Sequence, residues 1–259
     1  MTRRNMLSAA AGAAVGTAGM AAAAPAKKAI FELRYIRMRN GTQVSRTQEF
    51  LAKHFLPAAT RAGIGPMGFF TNVFGQHSPT ITCLLSFPSF EAMGAALEKM
   101  EADKDYAAAF DAYNSTPELN YIRMESSLLR GFDTMPVVEV PPAREGRGGR
   151  IFELRMYESP NVKTLRRKMN MFDIGEIAIF RRNGMLPVFF GEALVGERLP
   201  NLTYMLAFDN MAAREKAWAS FGADPDWQKL RSQPGLSDAE IVSNISNSIL
   251  RGLPFSPIR

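Results

Sequence analysis

Apolar and polar positions in the second half of the chain follow two different periods. Residues 151 to 157 alternate between apolar and polar side chains, which predicts a strand. The residues behind it carry an apolar stripe at helical steps, formed by Leu165, Met169, Phe172 and Ile179. Gly184 follows where a left-handed helix cap is expected. The pattern therefore predicts a strand followed by a helix that ends near Gly184.

The remainder of this half continues with a hairpin, a helix and a strand. Strands are predicted over residues 186–195 and 202–208. Asp224-Pro225 supplies an N-cap and a proline for the first turn of a helix. A last strand is predicted over residues 241–250. The order β-α-β-β-α-β is that of a ferredoxin-like α+β unit, an antiparallel sheet with two helices on one face.

The same unit occurs twice in the chain. Residues 30–34 and 151–155 are both Ile-Phe-Glu-Leu-Arg, and Ser-Leu-Leu-Arg-Gly at 127–131 returns as Ser-Ile-Leu-Arg-Gly at 248–252, with the same displacement. Helices on one face leave the other face of each sheet uncovered. We therefore expect two tandem ferredoxin-like (βαββαβ) units that form a pseudo-dimeric α/β barrel, with a cavity between the sheets and the helices outside.

The repeats set the expected domain boundaries. We predict the two ferredoxin-like domains at residues 27–131 and 150–259. The intervening residues, 132–149, contain Pro141-Pro142 and the glycine-rich residues 146–149, which is the composition of a linker.

Several sequence segments carry a resemblance to a known family. They are the Ile-Phe-Glu-Leu-Arg opening of each copy and residues 171–177, 187–192, 201–206 and 240–247 of the second copy. On these segments the chain resembles the NIPSNAP family over about residues 29 to 258. The resemblance implies a dimeric α/β barrel of the ferredoxin-like kind. It implies no particular reaction.

The first 26 residues have the three parts of an export signal. Arg3-Arg4 is followed by Asn5-Met6-Leu7, similar to the bacterial twin-arginine (Tat) motif, and then by an Ala- and Gly-rich run. Ala24-Pro25-Ala26 fits a cleavage site after Ala26. The run is too short and too weakly apolar for a stable membrane span. We expect a Tat-type signal peptide at 1–26 and a periplasmic or secreted bacterial protein; a disordered Ala-rich tail is the alternative.

Composition removes several classes of function. One cysteine, Cys83, and two histidines leave no basis for a disulfide or for a Cys/His metal site, so we predict no metal and no cofactor. The net charge is +6 and the pI about 9.6, but basic residues are scattered among acidic ones. We therefore expect no nucleic-acid partner. Cys83 itself is expected to be a small buried hydrophobe.

Two Glu-Arg pairs are the first candidate site residues. In strand 151–157, Phe152, Leu154 and Met156 share one face, and we expect this apolar face to meet the helices. Glu153, Arg155 and Tyr157 would then point between the sheets. Glu32 and Arg34 repeat the pair in the first copy. The pairs are either structural, fixing the register of the two sheets, or anchors for a ligand.

Glu176 is the second candidate, because it falls on the apolar stripe of its helix next to Gly175. A desolvated carboxyl has a raised pKa and can act as a general acid or base. The alternative is a glutamate at the edge of the stripe that reaches water or an arginine. The nearby charge run at residues 166–168 is expected to be a solvated helix face.

Large side chains on the predicted strands complete the candidate set. Glu192 follows two phenylalanines, and Tyr204 and Trp227 combine apolar rings with polar tips. They could line a pocket for an aromatic or lipid-like ligand, or they could belong to the core.

Three functions remain open from the sequence. The first is the binding of a small organic or hydrophobic ligand between the two sheets, with Glu32, Arg34, Glu153, Arg155, Tyr157, Glu192 and Tyr204 as candidate ligand contacts. The second is a cofactor-free acid/base or oxygenase-like enzyme that uses Glu176, Glu153 and Arg155, by analogy with related barrels. The third is a protein-interaction module. Homo-oligomerisation stays open in each case.

Overall fold

A computed structural model describes residues 27–144 and 149–259 of the chain. The predicted signal peptide at 1–26 and the central residues of the predicted linker lie outside the described residues. Each copy of the repeat forms one βαββαβ unit in which the first helix contains a short π-helical segment.

The elements of the first copy begin with strand β1. In chain order they are β1 (Ile30–Arg37), α1 (Thr42–Phe50), a π-helical segment (Leu51–Phe55), α2 (Leu56–Ala62), β2 (Met67–Phe74), β3 (Thr80–Phe87), α3 (Phe90–Ala102), α4 (Lys104–Asn114) and β4 (Arg123–Gly131). Asp103 caps α4 by accepting the backbone N–H of Tyr106.

The second copy repeats this order and adds a short helix, α9. Its elements are β5 (Ile151–Glu158), α5 (Val162–Met171), a π-helical segment (Phe172–Glu176), α6 (Ile177–Arg182), β6 (Leu186–Val195), β7 (Asn201–Phe208), α7 (Met211–Ala223), α8 (Pro225–Arg231), α9 (Asp238–Ile241) and β8 (Asn244–Gly252). Asp224 caps α8 and Pro225 opens it, as predicted. The predicted start of the last strand is wrong, because Ile241 ends α9 and β8 begins at Asn244.

The eight strands close into one antiparallel barrel in the order β1-β3-β2-β8-β5-β7-β6-β4. Two seams join the copies, one where β2 pairs with β8 and one where β4 pairs with β6. The edge strands of each sheet therefore form hydrogen bonds with the edge strands of the other sheet. The predicted fold, two ferredoxin-like units in a pseudo-dimeric barrel, is confirmed.

Phenylalanines fill one end of the barrel interior. Phe31 packs edge-on against Phe189 with ring centroids 5.6 Å apart, and Phe70 against Phe152 at 4.8 Å. Val138, after β4, and Ile258, near the C-terminus, join the same buried cluster. This end of the barrel is closed by apolar packing.

The predicted orientation of the first strands is wrong. Phe152 and Leu154 belong to the cluster inside the barrel, whereas Ile151 and Tyr157 pack with residues of the helices. Glu153 and Arg155 consequently lie under the helices and not between the sheets. The physical reason is that phenylalanines fill the barrel interior, while the helix layer supplies hydrogen-bond partners for the charges.

Candidate functional site

Glu153 is the centre of a polar cluster between the second sheet and its helices. Its carboxylate is completely buried and accepts two hydrogen bonds from Arg214 of α7, at 2.8 and 2.6 Å. Trp218 Nε1 donates to it at 2.8 Å and Arg155 Nη1 at 2.7 Å. Asn247 of β8 donates at 3.2 Å. Five donors therefore surround one carboxylate.

These donors decide the charge state of Glu153. Burial alone would raise its pKa, but the hydrogen bonds from Arg214 and the charge of Arg155 outweigh burial and lower the pKa below 4.5. Glu153 is thus an anion that holds β5, β8 and α7 together.

A pair of tyrosines continues the cluster along the sheet. Arg155 Nη2 donates to the Tyr157 hydroxyl at 3.1 Å, and the Tyr204 hydroxyl donates to the same oxygen at 3.0 Å. The Arg155 guanidinium also lies 4.6 Å from the centroid of the Trp218 ring. Arg155 Nε is buried without a partner among the described residues.

Glu176 forms a buried ion pair with Lys168. The Lys168 ammonium is 3.0 Å from Glu176 Oε2, and the two residues are only 1% and 2% exposed. Three rings surround the ammonium, those of Phe172 at 4.8 Å, Tyr157 at 5.4 Å and Trp227 at 5.5 Å. The expectation that the charge run 166–168 is solvated is wrong for Lys168, because this residue occurs three positions after buried Leu165.

Burial and charge act in opposite directions on this pair. Burial raises the pKa of Glu176 against the lowering influence of Lys168. Burial would lower the pKa of Lys168, but the Glu176 carboxylate outweighs it and raises the pKa. Lys168 is therefore a cation at neutral pH, and Glu176 is buried beside it.

The first copy has a simpler version of this cluster. Arg34 donates to Glu32 at 2.8 and 3.0 Å, and Ser126 Oγ donates to Glu32 at 2.8 Å. At the position equivalent to Glu176 the first copy has Phe55, which lies 5.8 Å from Arg34. The second copy alone carries the extended network among the described residues.

Glu192 lies apart from the other candidates. Its Oε2 atom is 2.6 Å from Arg130 Nη2, across the seam between β4 and β6. The structure thus brings Glu153, Arg155, Tyr157, Tyr204 and Glu176 into one packed region and leaves Glu192 outside it. This packed region can stabilise the fold, and most of its polar groups already bond to one another.

An open cavity occupies the other end of the barrel. It has a volume of about 510 Å³ and lies between the two sheets. Both copies contribute to its wall. Interior-facing side chains that line it include Tyr35, Thr82, Ser127, Met156, Thr203 and Ser248.

Strand pairing arranges these side chains in matching layers. Tyr35 pairs with Thr82 and Glu125, and Met156 pairs with Thr203 and Ser246. One step deeper, Ser127 pairs with Leu33 and Ser248 pairs with Leu154. Because β1 and β5 are four strands apart in the ring of eight, Tyr35 and Met156 face each other across the barrel.

Several hydroxyls at the cavity are available for hydrogen bonding. The hydroxyl-bearing side chains of Tyr35, Thr82, Ser127 and Ser248 all line the cavity. A Cβ atom at Gly196 would clash with Ser127 Oγ, so the β6–β7 turn needs glycine to approach this serine. Because these hydroxyls face the cavity, a ligand there could exchange hydrogen bonds with them.

The charged side chains at the mouth neutralise one another. Arg37 donates to both oxygens of Glu125, with Nε 3.0 Å from each. The hydrogen bonds from Arg37 lower the pKa of Glu125 despite partial burial. Arg198 and Glu197 add one further charge of each sign to the wall. The cavity therefore suits a neutral ligand better than an ionic one.

Sequence reasoning missed the residues of this cavity. Thr82 and Thr203 occupy equivalent positions in the two copies, as do Ser127 and Ser248. A polar residue repeated at the same interior position of both copies was the available signal. Lys168 and Arg214 were missed because both occur among other charged residues of their helices.

The described residues contain neither a candidate membrane-spanning helix nor a candidate metal cluster. None of the described helices is long and apolar enough to cross a membrane. Within residues 27–144 and 149–259, no group of three His, Cys, Asp or Glu side chains could hold a metal ion.

Solved structures share the whole two-unit arrangement. Two putative monooxygenases, from Fusobacterium nucleatum subsp. nucleatum and Lactobacillus acidophilus, each superpose with a TM-score of 0.55. They are 8% and 10% identical to this chain; 87% and 86% of it and 93% of each of them are covered. At these identities the likeness shows the fold alone. No curated protein matches the chain.

Family membership comes from the sequence of both copies. The NIPSNAP family model matches residues 31–136 and again residues 152–257. An uncharacterized NIPSNAP-like domain protein from Burkholderia xenovorans is 22% identical over 42% of this chain and 90% of its own, with a TM-score of 0.38. Two family matches that together span most of the chain show that this protein belongs to the NIPSNAP family.

Proposed function

We propose that this protein binds a small, neutral, hydroxyl-bearing organic molecule in the cavity between its two sheets. The observation that carries the proposal is the set of hydroxyl groups, those of Tyr35, Thr82, Ser127 and Ser248, that line one cavity. Hydroxyls both donate and accept, so they suit a ligand that carries hydroxyl or carbonyl oxygens.

The dimensions of the cavity support this proposal. Its volume of about 510 Å³ lies within the range of roughly 300 to 1,000 Å³ that is usual for small-molecule sites. Leu154 and Leu250 provide apolar surface at its floor. The rest of the wall is mainly polar, which suits a ligand that carries oxygen atoms.

The test compares what copurifies with two matched variants. Met156→Trp fills the cavity, because Met156 lines it. Met124→Trp makes the same change on the outer face of the barrel, where Met124 is 41% exposed. Native mass spectrometry of protein from its own source should detect a bound molecule in the wild type and in Met124→Trp, and lose it in Met156→Trp. Equal recovery from all three proteins, or none from any, contradicts the proposal.

We further propose that the chain is exported by the twin-arginine route and cleaved after Ala26. The paired arginines, the short Ala-rich run and the Ala24-Pro25-Ala26 site support this step. N-terminal sequencing of the periplasmic protein should then begin at Lys27. Substitution of Arg3 and Arg4 by lysine should retain the protein in the cytoplasm. Recovery of periplasmic protein with Met1 intact contradicts the proposal.

A further inference from the structure

The cavity is built partly from repeated positions, and at the level of its two threonines the copies differ at Tyr35 and Met156. Thr82 and Thr203 are equivalent, as are Ser127 and Ser248, so the hydroxyls follow the pseudo-twofold symmetry of the barrel. Tyr35, in contrast, is replaced by Met156 in the second copy. The equivalent threonines and serines present the same groups from both sides, so they cannot orient a ligand. The difference between Tyr35 and Met156 can.

Tyr35 and Met156 lie on opposite walls at the same depth. They occupy equivalent positions of β1 and β5, the strands that face each other across the ring. Both side chains are half-buried and line the cavity. An eight-stranded barrel is just wide enough inside for side chains or for one small ligand. A ligand at this level is therefore held between an aromatic ring and a thioether.

Both walls favour a flat, unsaturated ligand. Aromatic rings prefer other aromatic rings in stacked or edge-on contact, and the thioether sulfur makes favourable contacts with aromatic rings. A saturated ring lacks the π-system on which both contacts depend. The hydroxyls of Thr82 and Thr203, on the strands beside β1 and β5, lie at the same level as the two walls. The Thr203 hydroxyl donates to Asn201 Oδ1 at 3.3 Å and is left to accept a hydrogen bond from the ligand.

We infer that the ligand of this cavity is a planar aromatic molecule with oxygen substituents, held between Tyr35 and Met156 with its oxygens bound by the threonine and serine hydroxyls. The inference rests on the proposed function and specifies its ligand class. Tyr35 and Met156 are then the residues that select planarity, and the hydroxyls select oxygen substituents.

The probes for the test are resorcinol and cyclohexane-1,3-diol. Both carry two hydroxyls in the same relative positions, and only resorcinol is flat and aromatic. Titration of the full chain, labelled at its methionine methyl groups, follows binding by NMR, and Met156→Leu identifies the Met156 signal. Resorcinol should bind about tenfold more tightly than the saturated diol and should shift the Met156 methyl signal by its ring current.

Three variants separate the contributions of the wall and of the hydroxyls. Tyr35→Leu should reduce the preference for resorcinol to about threefold or less. Met156→Leu, which conserves volume, should weaken resorcinol binding by about twofold to tenfold and leave the saturated diol unaffected. Thr82→Val combined with Thr203→Val should weaken both diols equally, because it removes hydroxyls and keeps shape. Unfolding midpoints check that each variant is folded.

The outcomes distinguish this inference from the proposed function. If both diols bind with equal affinity and both weaken in the threonine double variant, the cavity binds hydroxylated molecules and the inference about planarity is overturned. If neither diol binds the wild type up to its solubility limit, the proposed function fails together with the inference. Resorcinol binding that leaves the Met156 methyl signal unmoved also overturns the inference.

Discussion

At the scale of single residues, buried charge in this molecule is held by side chains from different elements. Glu153 of β5 is neutralised by Arg155 of its own strand and by Arg214 of α7. Strand periodicity separates the two faces correctly but cannot tell which face the helices cover. Glu153 could not be oriented from the sequence, because its partner Arg214 occurs 61 positions later and carries no local signal.

The Lys168–Glu176 pair gives the first prediction at this scale. Lys168→Met leaves Glu176 buried without its cation, so unfolding free energy should fall by about 3 to 5 kcal/mol at about pH 8. The loss should be smaller at about pH 5, because burial raises the pKa of Glu176 and a protonated carboxyl needs no cation. Lys168→Met with Glu176→Leu should recover most of the loss. Urea unfolding measures all three; a loss below about 1 kcal/mol at the higher pH contradicts the prediction.

Glu153 gives a second prediction, with the opposite dependence on pH. Its pKa is lowered in the folded protein, so the folded state binds this proton more weakly than the unfolded state does. The stabilisation is present above pH 4.5, the ordinary value, and is lost as the pH falls through the lower folded pKa. Glu153→Gln should therefore destabilise the protein at neutral pH by about 3 kcal/mol and reduce the slope of stability against pH below about pH 4.5. An unchanged acid slope in the variant contradicts the assignment.

At the scale of elements, the π-helical segment explains why the predicted stripe is only partly right. The wider turn at Phe172–Glu176 inserts an extra residue into the helix. Lys168 is buried in place of Met169, while Phe172 and Ile179 remain buried as predicted. A regular period of 3.6 cannot anticipate this rotation, although the first copy has its own π-helical segment at the equivalent residues 51–55.

Gly175, inside this segment, supplies a prediction about the helix. A Cβ atom there would lie 3.4 Å from Leu230 Cδ2, which is an ordinary packing contact. Gly175→Ala should stabilise the protein by about 0.5 to 1 kcal/mol, because alanine favours the helix. Gly191→Ala is the matched control, since its Cβ would lie 2.7 Å from Leu129 Cβ and should destabilise. A destabilised Gly175→Ala protein in thermal unfolding would show that the segment needs glycine.

At the scale of the whole molecule, the seams β2–β8 and β4–β6 make each copy depend on the other. The repeat, the element order and the uncovered sheet faces predicted this closure from the sequence. The side-chain packing inside the barrel could not be predicted in the same way. Val138 and Ile258 pack with Phe31 and Phe152 at one end, and this packing decides which end is closed and which stays open.

The seams predict how one copy behaves alone. Residues 150–259 without the first copy would leave β6 and β8 as unpaired edges. This fragment should form a homodimer that closes a barrel from two identical units. Size-exclusion chromatography with light scattering measures its mass. A folded, stable monomer at all concentrations contradicts the view that the seams hold the barrel together.

The proposed ligand site lies inside the barrel, at its open end. A crystal structure of the protein purified from its own source tests this most directly. We expect electron density for an organic molecule between Tyr35 and Met156, within hydrogen-bond distance of the Thr82 and Thr203 hydroxyls. Density for a bound molecule on the other side of the second sheet, against Arg155 and Glu176 beneath the helices, with the barrel mouth filled by water, would contradict it.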